Sequence, residues 1–194
     1  MAKTETVHSM LLVGKRLTAG RVREVAELLL AQPKRANQVA ECLWDEDAGV
    51  ANRAADALER ASCKQPAILA PCKEALLGRM VEATENKLRW NLALIAPRLK
   101  LTVPETERIA GLLRPWLGDR SSIVKTCTMQ GLAGLGRQNP SLLPEVLDLL
   151  RILTRSGTPA MRARGRILLR GLERIGDQAS PGRKQPRRSA RLIH

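Results

Sequence analysis

Apolar and small residues recur along the chain with the spacing of one face of an α-helix, and that spacing occurs four times in full. From Val50, the positions at offsets 0, 4, 7, 8 and 11 hold Val, Ala, Ala, Leu and Ala, which is typical of the buried stripe of a helix. The same offsets from Leu88, Val124 and Met161 again hold apolar or small residues, and an incomplete copy begins at Val22. The four full copies start 38, 36 and 37 residues apart. This regularity predicts a structural repeat of about 37 residues.

Proline and capping residues divide each repeat into two helices. A proline stands sixteen residues after three of the starts, at Pro66, Pro104 and Pro140, where it suits the first turn of a following helix. The stretch Thr102–Glu105 has the spacing of a capping box, which would open such a helix. With a further helical pattern near residues 5–17, the pattern predicts about ten helices in five hairpins and an all-α fold.

The repeated unit resembles the HEAT repeat family. The family's motif, an Asp in the turn between two helices followed by V-R-x-x-A-x-x-A-L, is similar to DAGVANRAADAL, KLRWNLALIA, IVKTCTMQGLAGL and AMRARGRILLRGL in this chain. The resemblance covers nearly all of residues 5–175. It implies a right-handed α-α superhelix of about five HEAT-like helical hairpins over residues 1–177, in which the second helix of each hairpin lines the concave face.

The composition agrees with helices that pack closely. Aromatic residues make up 2% of the 194 residues, with no Phe and no Tyr, so the core must consist of Leu, Ala, Ile and Val. No apolar run approaches the length of a membrane span, so a cytoplasmic protein with no membrane partner is expected. The four cysteines, which lack any C-x-x-C pair, are expected to be reduced and mostly buried. They are Cys42, Cys63, Cys72 and Cys127.

The formal net charge of +14 makes an anionic partner the natural expectation. In the C-terminal half, the second helices of the hairpins are basic, whereas the first helices carry balanced charges. The predicted basic groove is formed by Lys87, Arg89, Lys125, Arg162, Arg166 and Arg170, with Trp90 as the predicted aromatic contact. The alternative is that these cations only keep the array soluble and cover apolar surface with their stems.

The first full copy and the last residues of the chain differ from this basic pattern. In the first full copy, Ala51 replaces the basic residue, and Asp56 and Glu59 offset Arg53 and Arg60. That copy is therefore not expected to bind. Residues 178–194 lose the apolar periodicity and are rich in Arg and Lys without any acid after position 177. Such a composition predicts a disordered tail, which could either add phosphate contacts or remain solvated.

Several kinds of chemistry have no residues to support them in this sequence. The only histidines are His8 and His194, so the body of the chain offers none for a catalytic triad, a zinc site or general base catalysis. No phosphate-binding glycine pattern follows a strand. We therefore expect no catalytic residues, no metal and no cofactor.

Three functions remain open, and the first is the main prediction. It is a non-enzymatic HEAT-like scaffold that mediates protein–protein interaction through a basic concave surface, without a small-molecule substrate. The second is a protein that binds the backbone of DNA or RNA; the scarcity of aromatic residues argues against single strands. The third resembles the HEAT-like alkylpurine DNA glycosylases, a resemblance that implies tryptophans and a carboxylate at the groove. Trp90 is the one tryptophan placed for that role, and the sequence does not assign it an acid.

Overall fold

The computed structural model describes residues 5–14 and 19–179, with side chains as far as Arg174. These residues form ten α-helices and no strand, which confirms the all-α prediction. The α-helices are α1 Val7–Leu12, α2 Val22–Ala31, α3 Ala36–Glu41, α4 Ala48–Lys64, α5 Lys73–Glu82, α6 Asn86–Ile95, α7 Val103–Leu113, α8 Ser122–Gln138, α9 Leu143–Ser156 and α10 Pro159–Ala179. Short 3-10 segments occupy Pro33–Arg35, Cys42–Trp44, Pro66–Cys72, Ala96–Arg98, Arg114–Gly118 and Pro140–Leu142.

The repeat positions found in the sequence coincide with the even-numbered helices. The incomplete copy starts at the first residue of α2, and the four full copies start within the first turn of α4, α6, α8 and α10. The predicted tail, residues 178–194, lies outside the described residues except for positions 178 and 179, which belong to α10. None of the described helices combines the length and the apolar character needed to cross a lipid bilayer.

The predicted capping box opens α7 and also ties it to α5. The Thr102 hydroxyl accepts from the Glu105 backbone N–H at 3.4 Å, and the Glu105 carboxylate accepts from the Thr102 backbone N–H at 2.7 Å. The Lys73 ammonium of α5 donates to the same carboxylate at 2.7 Å. The hydrogen bonds from Lys73 and then from Thr102 lower the pKa of Glu105 to about 2, because each of them favours the ionised form.

The even-numbered helices pack on one another in the order of the chain, and we call this row the even layer. Thus α2 packs on α4, α4 on α6, α6 on α8 and α8 on α10. The odd-numbered helices cover it, with α3 against α4, α7 against α8, and α9 against both α8 and α10. One continuous cluster of buried Leu, Ala, Val, Ile and Met side chains joins all ten helices, and Trp116 is the one buried tryptophan.

Glycine allows α8 to approach α6 closely. A β-carbon at Gly131 would lie 2.4 Å from the carbonyl oxygen of Ala93, and a β-carbon at Gly134 would lie 2.3 Å from the ring of Pro97. Both distances are far shorter than an ordinary carbon contact of about 3.5–4.0 Å. The sequence GLAGLG therefore sets the distance between two neighbouring helices of the even layer.

This packing predicts opposite effects for two substitutions in the same helix. Gly131→Ala is expected to lower the free energy of unfolding by about 1–3 kcal/mol, because its methyl group forces α8 away from the Ala93 carbonyl. Gly136→Ala is the matched control, because a β-carbon there would be 3.6 Å from Val146, an ordinary contact. That change is expected to raise the free energy of unfolding by about 0.5 kcal/mol. Urea denaturation measures both, and equal effects would contradict the close approach.

One arginine of the first full copy is buried, which the sequence did not indicate. The Arg53 side chain is 1% exposed and its Nε donates to the backbone carbonyl of Leu11. Its neighbour Arg60 pairs with Asp56 at 2.6 Å, as the balance of charges implied. Glu59 instead accepts from Arg98 of the following repeat at 2.7 Å. The acids of this copy therefore link helices as well as balancing charge.

Candidate functional site

The structure places the six residues of the predicted basic groove in two kinds of environment, partly buried and exposed. All six belong to the even layer, with Lys87 and Arg89 on α6, Lys125 on α8, and Arg162, Arg166 and Arg170 on α10. The residues on α6 and α8 are partly buried, whereas the three on α10 are exposed. Equivalent places in the repeat therefore do not give equivalent freedom to bind a ligand.

Arg89 is held by contacts within the fold. Its Nη1 donates to Asp119 at 2.9 Å, and its Nε donates to the carbonyl of Ala83 at 2.8 Å. The guanidinium carbon lies 5.7 Å from the centre of the Trp116 ring, within the range of a cation–π contact. These contacts fasten the segment before α8 to the start of α6. They leave little of Arg89 for a ligand, and its role in binding stays a prediction.

The carboxylate that faces Arg89 is buried and ionised. Burial alone would raise the pKa of Asp119, but hydrogen bonds from the Ser121 backbone N–H and from Arg89 outweigh it, so the pKa lies below the ordinary value. The charge of Lys125 acts in the same direction. Lys125 and Arg89 thus share one acid, which is 5% exposed, and both help to stabilise the turn that opens α8.

Replacing Arg89 is accordingly expected to destabilise the fold. Arg89→Ala should lower the free energy of unfolding by about 2 kcal/mol at neutral pH, because Asp119 would stay buried without its cation. Since the folded pKa of Asp119 is depressed, this contribution is present above about pH 4 and is lost as the pH falls through the folded value.

Denaturation curves recorded between pH 3 and pH 8 measure the difference in free energy of unfolding between the native protein and Arg89→Ala. Arg162→Ala is the matched control, because Arg162 holds the same repeat position but is exposed, and it should change the free energy of unfolding by less than about 0.5 kcal/mol. A difference for Arg89→Ala that did not shrink in acid would show that Asp119 is not the partner that matters.

Trp90 and Lys87 line an open cleft between α4 and the start of α6. The cleft has a volume of about 810 Å³ and reaches Asn52, Asp56 and Arg60 on α4. Asp56 accepts from Arg60 at 2.6 Å, and its other oxygen lies 4.0 Å from the Lys87 ammonium. The structure thus places a carboxylate with Trp90 in one cleft, which the sequence alone had left unassigned.

Among the described residues, one that lines this cleft has a buried polar atom without a hydrogen-bond partner. Asn52 is 2% exposed, and its Oδ1 accepts no hydrogen bond from any described residue. Asn52, Asp56 and Arg60 are spaced four residues apart, so they share one face of α4. Aligning the repeats would have indicated only part of this group, because Asn52 and Trp90 hold the same repeat position, two residues after the copy begins.

Three of the five arginines of α10 belong to the predicted groove, and these three have no acidic partner among the described residues. Arg162, Arg166 and Arg170 are all exposed, and within the described part of the chain none of their side chains forms an ion pair or a hydrogen bond. They follow one another at intervals of four residues, so they form a single cationic stripe. We call the surface formed by these three residues the α10 end face.

The repeat alignment shows which side of α10 this surface occupies. Ala55, Ala93 and Met129 stand five residues after the start of their copies, and each is 0% exposed. Met129 faces the next helix of the even layer, since its methyl carbon would be 3.2 Å from a β-carbon at Gly165 of α10. Arg166 holds this position in α10. The α10 end face therefore corresponds to the side that packs against a further helix in the other copies.

Comparisons of the chain with protein-family models, with curated proteins and with solved structures find no match. Within the described residues, no three His, Cys, Asp or Glu side chains come together as a metal site would require.

Proposed function

We propose that this chain is a non-enzymatic HEAT-like scaffold, a right-handed superhelix of five helical hairpins, that binds an acidic protein partner through its basic surface. The observation that carries the proposal is the α10 end face, where three exposed arginines form one stripe and none of them forms an ion pair with a described residue. Such a stripe attracts anionic surfaces and raises the rate of association. The sequential packing of the even layer supports the HEAT-like arrangement.

The size of the stripe favours a protein over duplex DNA as the partner. Arg162 and Arg170 are eight residues apart, which is about 12 Å along a helix axis. Proteins that bind duplex DNA tightly commonly neutralise about 6–10 phosphates, which needs a longer track of cations. Ile167 is 55% exposed beside the stripe, and it offers an apolar contact that a phosphate backbone does not use.

Charge reversal of the α10 end face tests the proposal. In pull-downs from a nuclease-treated lysate of the source organism, the native chain should retain an acidic protein. The triple variant Arg162→Glu, Arg166→Glu and Arg170→Glu should retain at least tenfold less. A matched triple variant with the same change in charge, Lys64→Glu, Lys100→Glu and Arg108→Glu, should retain it as the native chain does, because those three residues are exposed elsewhere.

Two results would count against this proposal. Equal losses in the two triple variants would show that only net charge matters. Capture that nuclease abolishes would favour the second prediction, a protein that binds the backbone of nucleic acid. A salt titration with duplex DNA measures that alternative directly, because phosphate contacts make affinity fall steeply as salt rises.

One observation favours a second candidate function, excision of a damaged base from DNA. HEAT-like alkylpurine DNA glycosylases, which this chain resembles in its repeat pattern, use tryptophans and a carboxylate at the groove. In the cleft between α4 and α6, Trp90 and Asp56 supply these two groups. The Asp56 carboxylate is already paired with Arg60.

An excision assay separates this second candidate from the scaffold. With an alkylated duplex as substrate, the scaffold proposal predicts no release of base above the rate in buffer. Release that Asp56→Asn and Trp90→Ala both abolish would establish the glycosylase instead. Trp44→Ala is the control, because Trp44 is 46% exposed and does not line the cleft, so it should leave any such release unchanged.

A further inference from the structure

We infer that the α10 end face binds an acidic amphipathic helix of the partner, which packs on α10 in the way that α10 packs on α8. This inference rests on the proposed function and specifies where and in what form the partner binds. It follows from the register of the repeat, from the sign of the charges and from the apolar residues at the edge of the stripe.

The alignment of the repeats shows that, in the earlier copies, this side of an even-numbered helix packs against the next even-numbered helix. In α8 the side carries Met129, which packs against Gly165 of α10, and in α6 it carries Ala93, which packs against Gly131 of α8. In α10 the same side carries arginine, and no described helix covers it. A helix is therefore the element whose shape matches this surface.

The sign of the charges determines what kind of helix fits. A helix that no other helix covers needs a polar outer face for solubility, but mixed charges would serve and would avoid repulsion between like charges four residues apart. Elsewhere in the chain, some exposed helical arginines do have such acidic neighbours. Arg23 pairs with Glu27 and Arg151 pairs with Asp148. Glu173 stands three residues after Arg170, but its carboxylate lies 3.8 Å from Arg151 of α9. No described acid pairs with the three arginines of the α10 end face, so an anionic partner would reduce the repulsion.

Apolar side chains at the borders of the stripe favour a protein helix as the occupant. Ile167, which is 55% exposed, lies three residues before Arg170, and the partly buried Leu169 lies three residues after Arg166, so each is a helical neighbour of the stripe. A partner helix with acidic residues at every fourth position and leucine beside them would match both kinds of contact. Steps of four residues advance by about 6 Å along each helix, so acids and arginines could stay in register over two turns.

The test uses the full chain and a labelled helical peptide. The probe is an alanine-based peptide of about 20 residues with glutamate at every fourth position and leucine alongside. The comparison peptide has the same composition, with the glutamates distributed around the helix. Fluorescence anisotropy should show that the striped peptide binds at least tenfold more tightly than the scrambled one. Arg166→Glu should remove that preference, and Arg108→Glu, an exposed change of equal charge on α7, should leave it intact.

The outcomes separate this inference from the proposed function. If both peptides bind equally, or if Arg166→Glu and Arg108→Glu weaken them alike, the basic surface binds acidic protein but not a helix in register, and the inference is wrong. If neither peptide binds while duplex DNA binds through Arg166, the proposed function fails as well. A striped peptide with lysine in place of glutamate should bind more tightly to the double variant Arg166→Glu, Arg170→Glu than to the native chain. If it does not, that result would also count against the inference.

Discussion

The rest of the structure depends on how closely the even-numbered helices approach one another. Gly131 faces the backbone carbonyl of Ala93, and Gly134 faces the ring of Pro97, at separations that leave no room for a β-carbon. A chain with 2% aromatic residues cannot fill wide gaps between helices. Small residues at these contacts remove the gaps instead, so that short aliphatic side chains suffice to fill the interior at normal density.

The same close packing fixes the orientation of every side chain around each even-numbered helix. Once Gly131 is seated against α6, Met129 must point toward α10, and Gly165 must receive it. Each repeat position thus acquires a fixed direction. The residue that directly follows the start of a copy, however, has different neighbours in different helices. In α6 it is Arg89, which finds Asp119 in the next turn, whereas in α10 it is Arg162, which finds no acid in the described residues.

Most of the helical framework could be predicted from the sequence because it follows from local rules. The spacing of apolar residues and the capping box at Thr102 and Glu105 involve residues within a few turns of each other, and the structure confirms them. The environment of individual charges could not be predicted in this way. Arg53 donates to the carbonyl of Leu11, 42 residues away, and Arg89 reaches Asp119, 30 residues away. Such partners are set by packing between helices, which periodicity does not specify.

The predicted basic groove shows the same contrast between what the local sequence pattern specifies and what packing between helices decides. Arg162, Arg166 and Arg170 are part of the groove predicted from the sequence, but the side of α10 that they occupy depends on where α8 lies. Trp90 and Asp56 line one cleft only because two helices from different repeats are brought together. An alignment of repeat positions recovers part of this information, because it assigns each residue a direction without requiring the contacts themselves.

The cleft beside Trp90 and the α10 end face lie on different parts of the even layer, so experiments can test them independently. The cleft lies between α4 and α6, the end face lies on α10, and α8 packs between α6 and α10. Substitutions more than about 7–10 Å apart that share no partners usually have additive effects. A change at Asp56 should therefore leave an acidic partner bound to α10, and a change at Arg166 should leave the cleft intact. Because α8 joins the two regions through rigid contacts at glycine, a ligand at one surface would influence the other only by shifting that helix, and the absence of space at Gly131 opposes such a shift.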